Sequence, residues 1–283
     1  MLIAALLALA TLAWFATRAN SPPHMRTGLL TGIGMAPMGA GTMGPSMALL
    51  GVFLWMWLVM MVAMMLPAIT PVVVTFDRWV RKTGRSRSAT AHFVGGYLLI
   101  WGGSGLAVYG AIVYLTPVLP SGESALRLGA GLLVLAGAYQ LTPLKEACLR
   151  HCRSPLGFIA QHTSPLRRGG LAGSRVGAIH GIYCLGCCWA LMLVLVLLGM
   201  MSMVWMAAVA GVIFLEKTLP RRWPVGKLVG LLLVSVGIVL LVSPRPIRWG
   251  PDATKVSSTG PNGIPMTRVR PAGADPFAES IIG

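Results

Sequence analysis

Between His180 and Cys188 the chain places one imidazole and three thiols inside an otherwise apolar stretch, HGIYCLGCCWALM. On a helix each residue advances about 100°, so with His180 as origin Cys184 lies near 40°, Cys187 near −20° and Cys188 near 80°. All four then share one face. Thiolates three or four residues apart can chelate one ion from a single helical turn. Their sulfur suits Cu(I), Zn(II) and iron–sulfur clusters, and imidazole serves most of these. A lone cysteine in an apolar segment is a small hydrophobe that packs. Three of them within five residues, one turn after a histidine, point instead to ligation. Thiol–disulfide exchange between Cys184 and Cys187 is the other chemistry open to them.

The remaining two of the five cysteines lie in LTPLKEACLRHCRSP. Cys148, His151 and Cys152 are spaced i, i+3, i+4 and face one way if that stretch is helical. One shared site with His180–Cys188, or two neighbouring sites, is geometrically open. The chain also has 17 methionines. Met35, Met38 and Met43 fall in a glycine-rich stretch, Met200 and Met201 beside a later turn, and Met56, Met60 and Met64 repeat every four residues. Methionine is an ordinary filler of apolar space. It also binds Cu(I) without deprotonation, so these residues are read as a secondary metal path. Glu216 and Lys217 stand together at the end of an apolar run. Ionisable groups at membrane depth are paired or functional, and neighbours in sequence do not face each other on a helix, so each needs its own partner.

The elements that carry these residues are membrane helices. Hydrophobic residues make up 55% of the 283 and charged residues 11%, too few to clothe a soluble domain of this size. Apolar blocks of spanning length fall at the amino terminus and at 46–69, 91–115, 126–144, 176–200, 203–219 and 226–243. The expected fold is an all-α polytopic transmembrane bundle of about seven spans, or six if the first is a cleaved leader. It divides into an anchor helix with a Met/Gly-rich outer loop (1–45), a metal-binding bundle (46–243) and a disordered Pro/Gly-rich tail (244–283). The second span is expected to end or kink at Pro67 and Pro71. Helix contacts are expected at Gly103, Ala107 and Ala111, at Ala125, Gly129 and Gly137, and at Gly226 and Gly230.

The net charge of +16 sits mostly between the apolar blocks. Arg78, Arg81 and Lys82, then Lys145, Arg150 and Arg153, then Lys217, Arg222 and Lys227 alternate with loops poor in basic residues. That pattern makes the basic end cytoplasmic and the outer face methionine-bearing. The positive charge is therefore assigned to lipid, and nucleic acid is not an expected partner. No phosphate-binding glycine loop, HExxH, GxSxG or paired carboxylate is present. The reading is a binding protein rather than an enzyme.

AMMLPAITP at 63–71, YQLTPLKEACLRHCRSP at 139–155, YCLGCCWALM at 183–192 and the EK pair at 216–217 resemble a bacterial family of predicted metal-binding integral membrane proteins, a domain of unknown function with copper-related associations. The resemblance covers about residues 55–230. It implies Cys148, His151, Cys152, Cys184, Cys187 and Cys188 as metal residues. The expectation is thus a multi-pass protein of the bacterial inner membrane. It holds a transition metal ion, copper before zinc, for transfer, delivery or homeostasis, and works with lipid and a metal-acceptor protein. The alternatives are a membrane thiol–disulfide protein and a non-catalytic assembly factor whose cysteines only pack.

Overall fold

The computed structural model describes residues 1–20, 30, 47–84, 86, 88–115, 123–162, 172–200, 202–220 and 222–244. Met35, Met38, Met43, Met201 and nearly all of the expected tail lie outside the described residues. The described chain is all helix and turn: α1 (Leu2–Asn20), α2 (Met47–Lys82), α3 (Ser88–Leu115), α4 (Glu123–Gln140), α5 (Pro143–Arg153), α6 (Pro155–His162), α7 (Ala172–Leu198), α8 (Met203–Thr218) and α9 (Val225–Val242). Five of these (α1, α2, α3, α7 and α9) are long and apolar enough to cross a membrane, and the bent pair α4–α5 makes six. The protein is therefore an all-α bundle with five to six candidate membrane spans. Against the expectation of seven, α8 is the helix that falls short, at 16 residues.

α2 differs from its expected bounds. It runs 36 residues, through both Pro67 and Pro71, to Lys82. Proline interrupts a helix by removing an N–H from the ladder, and Pro67 leaves the Ala63 carbonyl without its normal donor. Trp14 Nε1 of α1 supplies one at 3.0 Å. With that carbonyl satisfied inside the bundle, the helix continues past the proline. Asp77 is 8% exposed on the extended turns, where it accepts from Arg81 Nε at 2.8 Å and Thr90 Oγ1 of α3 at 3.2 Å.

The bundle closes on small residues. α7 meets α3 backbone to backbone. A Cβ on Gly177 would collide with the Phe93 carbonyl, and one on Gly96 with that of Ser174. Gly173 and Gly181 continue the α7 contact one turn either side, so a G-x-x-x-G-x-x-x-G stripe sets this pair. The expectation for α3 was Gly103, which meets nothing within 4 Å; the working contact lies two turns earlier, where α7 passes. α4 and α9 pair as expected through Gly137 and Gly230, and a Cβ on Gly137 would lie 2.8 Å from the Gly230 carbonyl.

At Gln140 the chain turns by 61° into α5. Thr142 caps that helix by accepting from the Lys145 N–H, and Pro143 occupies its first position. α5 and α6 lie in the basic connection expected between two spans, and the stretch carrying Cys148, His151 and Cys152 is helical. They are short and partly polar, and they fold across the end of the bundle where α2 and α3 also carry Arg81, Lys82 and Ser88.

Candidate metal centre

α7 delivers the sulfur. Cys184, Cys187 and Cys188 are all buried, and their Sγ atoms lie within 4.8 Å of one another. Among the described residues they are the one group of three or more ligand-type side chains that close. Two of the thiols rest on their own backbone: Cys187 Sγ and Cys188 Sγ donate to the Cys184 carbonyl at 3.1 and 2.8 Å.

α5 brings the second cluster alongside. Cys152 Sγ is 3.8 Å from Cys187 Sγ. Sulfurs bound to one metal at about 2.3 Å in a trigonal or tetrahedral shell stand about 3.8–4.0 Å apart, so this spacing is already that of co-ligands. Cys148, half-buried, sits where a Cβ on Gly186 would lie 2.8 Å from its Sγ. Glycine at 186 thus lets the α5 thiol reach the α7 backbone. His151 stacks flat on Tyr183 of α7 at 4.1 Å and 1°, and its Nδ1 donates to the Ala147 carbonyl at 3.0 Å. That bond leaves Nε2 as its lone-pair nitrogen. All five cysteines are free thiols.

Two further helices contribute donors to the sulfur. Lys217 Nζ of α8 reaches Cys184 Sγ at 3.1 Å, and the Tyr97 hydroxyl of α3 lies 3.1 Å from the same atom. Lys217 is 8% exposed and Tyr97 fully buried. Glu216, next in sequence, turns the other way and accepts from Lys145 Nζ of α5 at 2.5 Å, with both side chains almost wholly buried. Arg153 Nε donates to the Glu216 carbonyl at 2.6 Å. The two charged residues at the end of α8 thus have separate partners. One pins α8 to α5, and the other aims an ammonium at the thiols.

His180 is not one of the three side chains that close as a group. Its ring lies among Phe93, Tyr97 and Phe158, with centroids 6.0, 6.1 and 4.9 Å away. Neither ring nitrogen has a hydrogen-bond partner among the described residues. One helical turn separates it from Cys184 along α7, and rings from α3 and α6 pack against it. Of the methionines singled out, Met60 and Met64 are buried in the same packed core as the three α7 cysteines, Met56 is half-buried against it, and Met200 is buried at the far end of α7. Sequence reasoning did not single out Tyr97, whose setting among Phe93 and Trp101 reads as packing. It also passed over His162, which donates from Nδ1 to the Phe158 carbonyl at 2.9 Å beside Tyr183. The Phe158–His162 spacing of four was the available signal.

The arrangement is a cysteine-based site capable of coordinating a transition metal, set inside a hydrophobic helical bundle. No curated protein and no solved structure matches the chain. Residues 54–240 match a family model described as PpoB2: Copper chaperone. That span holds both cysteine clusters, the Glu216–Lys217 pair and every helix from α3 to α8, and the chain belongs to this copper-chaperone family.

Proposed function

We propose that the protein binds Cu(I) inside the bilayer and hands it to an acceptor protein, with Cys184, Cys187, Cys188 and Cys152 as the ligand set and Cys148 as the exchange thiol. The observation that carries this reading is the approach of sulfurs from two helices to one buried ammonium, Lys217. An apolar interior penalises an uncompensated charge of either sign. Cu(I) held by two of these cysteines as thiolates, with the others as neutral thiols, carries one net negative charge, and the Lys217 ammonium cancels it. Zn(II) reaches the same net charge only with three thiolates, so the number of deprotonated cysteines separates the two metals. Cys148 is the least buried of the five thiols and lies against the site. It is placed to take up or release the ion by ligand exchange.

The buried methionines Met60 and Met64, with Met56 and Met200, supply weaker thioether sites through the bundle. Met35, Met38, Met43 and Met201 extend that path on the outer face. His151 offers Nε2 at the opposite, basic end, and His180 is an intermediate imidazole. α8 completes seven spans: its 16 residues reach about 24 Å, and the Lys145–Glu216 pair anchors its short end. The protein sits in the bacterial inner membrane with the basic end in the cytoplasm.

The test is purification in detergent under reducing, anaerobic conditions, followed by copper counting and X-ray absorption. One copper per chain in a sulfur shell is expected, lost when Cys184, Cys187 and Cys188 are changed together to Ser and weakened by Cys152→Ser. Absence of bound metal after copper loading would sink the reading. Cys152 and Cys187, from separate helices and 3.8 Å apart, give the thiol–disulfide alternative its own signature: a free-thiol count in metal-free protein that follows the redox buffer.

A further inference from the structure

Beside the Lys145–Glu216 pair, a cavity of about 330 Å³ opens between α4, α5 and the start of α9. This is within the size range of small ligand sites. Its lining includes Gln140, Lys145, Glu146, Arg153, Gly226 and Lys227. Three basic side chains therefore face one acidic one, Glu146. Lys145 spends one of its three donors on Glu216. Arg153 uses Nε on the Glu216 carbonyl, leaving its terminal nitrogens. Gly226 lets α9 come down onto this pair: a Cβ there would stand 3.0 Å from Glu216 Oε1 and 3.2 Å from Lys145 Nζ.

Two features of the cavity ask for an anion with acceptor oxygens. The first turn of α9 has Pro224 at its cap position and no side-chain cap; Val225 N–H donates to the Trp223 carbonyl at 2.9 Å, and the N–H groups of the next residues carry the positive end of the helix toward the cavity. Independently, Gln140 is 4% exposed, and neither its amide nitrogen nor its amide oxygen has a partner among the described residues. A buried amide with both ends unmet is costly and calls for a group that accepts from one end. A protonated phosphate can also donate to the other.

The rim differs from the floor. Leu141 and Trp223, which line the cavity, are exposed, and so are Leu144 and Leu228, chain neighbours of the lining residues Lys145 and Lys227. Polar floor and apolar rim together match a phosphate carried at the head of apolar chains.

We propose that this cavity binds a phosphate group, with the Gln140 amide, Lys227, the free donors of Arg153 and the α9 amino terminus as its contacts. The group is carried by an acidic phospholipid or is free inorganic phosphate. The site is distinct from the sulfur cluster and does not depend on copper.

The test uses the full chain in neutral detergent, offered phosphatidylglycerol, phosphatidylcholine or inorganic phosphate. Bound lipid is read by native mass spectrometry, and bound phosphate by equilibrium dialysis. Gln140→Leu removes an amide with no protein partner, and Lys227→Gln changes an exposed side chain, so each is expected to keep the bundle. Helicity and a monodisperse elution peak check this. Selective retention of one phosphatidylglycerol, weakened about tenfold by each variant, supports the site with lipid as the source. Phosphate binding that the same variants weaken, without lipid selectivity, supports it with free phosphate as the source. Equal retention of both lipids with no phosphate bound overturns the proposal. So does binding that both folded variants leave unchanged.

Discussion

Replacing Lys217 by Met removes the ammonium from the sulfur site while keeping a side chain of similar length. Lys217 Nζ lies 3.1 Å from Cys184 Sγ, inside a core where neither group meets water. A hydrogen bond to a charged group in such a setting contributes about 1.5–3 kcal/mol, which corresponds to about 10- to 100-fold in Cu(I) affinity. Tyr97→Phe deletes a neutral donor to the same sulfur and should cost about 1 kcal/mol, or about fivefold. The metal-free protein responds in the other sense. Without bound copper, the lysine is a buried cation facing thiols, and an apolar isostere leaves the fold as stable or more so. The assay is competition with a chromogenic Cu(I) chelator under anaerobic reducing conditions, run beside unfolding of the metal-free form in SDS. A cycle with Cys184→Ser should be non-additive, because the two residues touch. A stable Lys217→Met protein whose Cu(I) affinity stays within about twofold of wild type would refute charge compensation as the role of this lysine.

The ion pair behind the site makes the opposite kind of prediction. Lys145→Met strands Glu216, which is 2% exposed, and should destabilise the bundle by about 3–5 kcal/mol; adding Glu216→Leu should recover most of that loss, read by SDS unfolding. Trp14→Phe removes the donor that satisfies the Ala63 carbonyl beneath Pro67 and should cost about 1 kcal/mol. In a Pro67→Ala background, where the helix supplies its own N–H, the same change should cost measurably less. Gly177→Ala should separate α7 from α3, since the methyl would meet the Phe93 backbone carbonyl; the loss should appear as a lowered unfolding midpoint in SDS.

The sulfur was legible because its pattern is local. Angular position along one helix brings Cys184, Cys187 and Cys188 together whatever surrounds them, whereas the i, i+3, i+4 spacing of Cys148, His151 and Cys152 does not make a second closing group among the described residues. That each of Glu216 and Lys217 needs a separate partner also follows from helix geometry. The partners themselves, Lys145 and Cys184, are 71 and 33 residues away, and no local rule reaches that far. His180 shows the limit of the angular argument. It shares the helical face of the cysteines, but a face is also divided along its length: His180 lies one turn before them, against Phe93, Tyr97 and Phe158, and outside the group of three sulfurs that close. The extent of α2 was illegible for a related reason: whether a proline ends a helix depends on what meets the freed carbonyl, and Trp14 comes from another element. α5 and α6 are too short and too polar to show a spanning signal, so the sequence reads as a basic connection where the chain builds the second wall of the site.

The glycine contact between α7 and α3 has a mechanical corollary. Side chains between helices act as springs that can be re-arranged, but where backbone meets backbone there is nothing to compress or rotate. Gly173, Gly177 and Gly181 lead directly into Cys184 along the same stripe, so three of the sulfurs are mounted on a stiff beam. The fourth, Cys152, rides on α5, which leaves α4 through a 61° elbow. The cage therefore joins a wall set by backbone contact to a second wall that is held in place from α8, through Lys145 and Arg153 on Glu216.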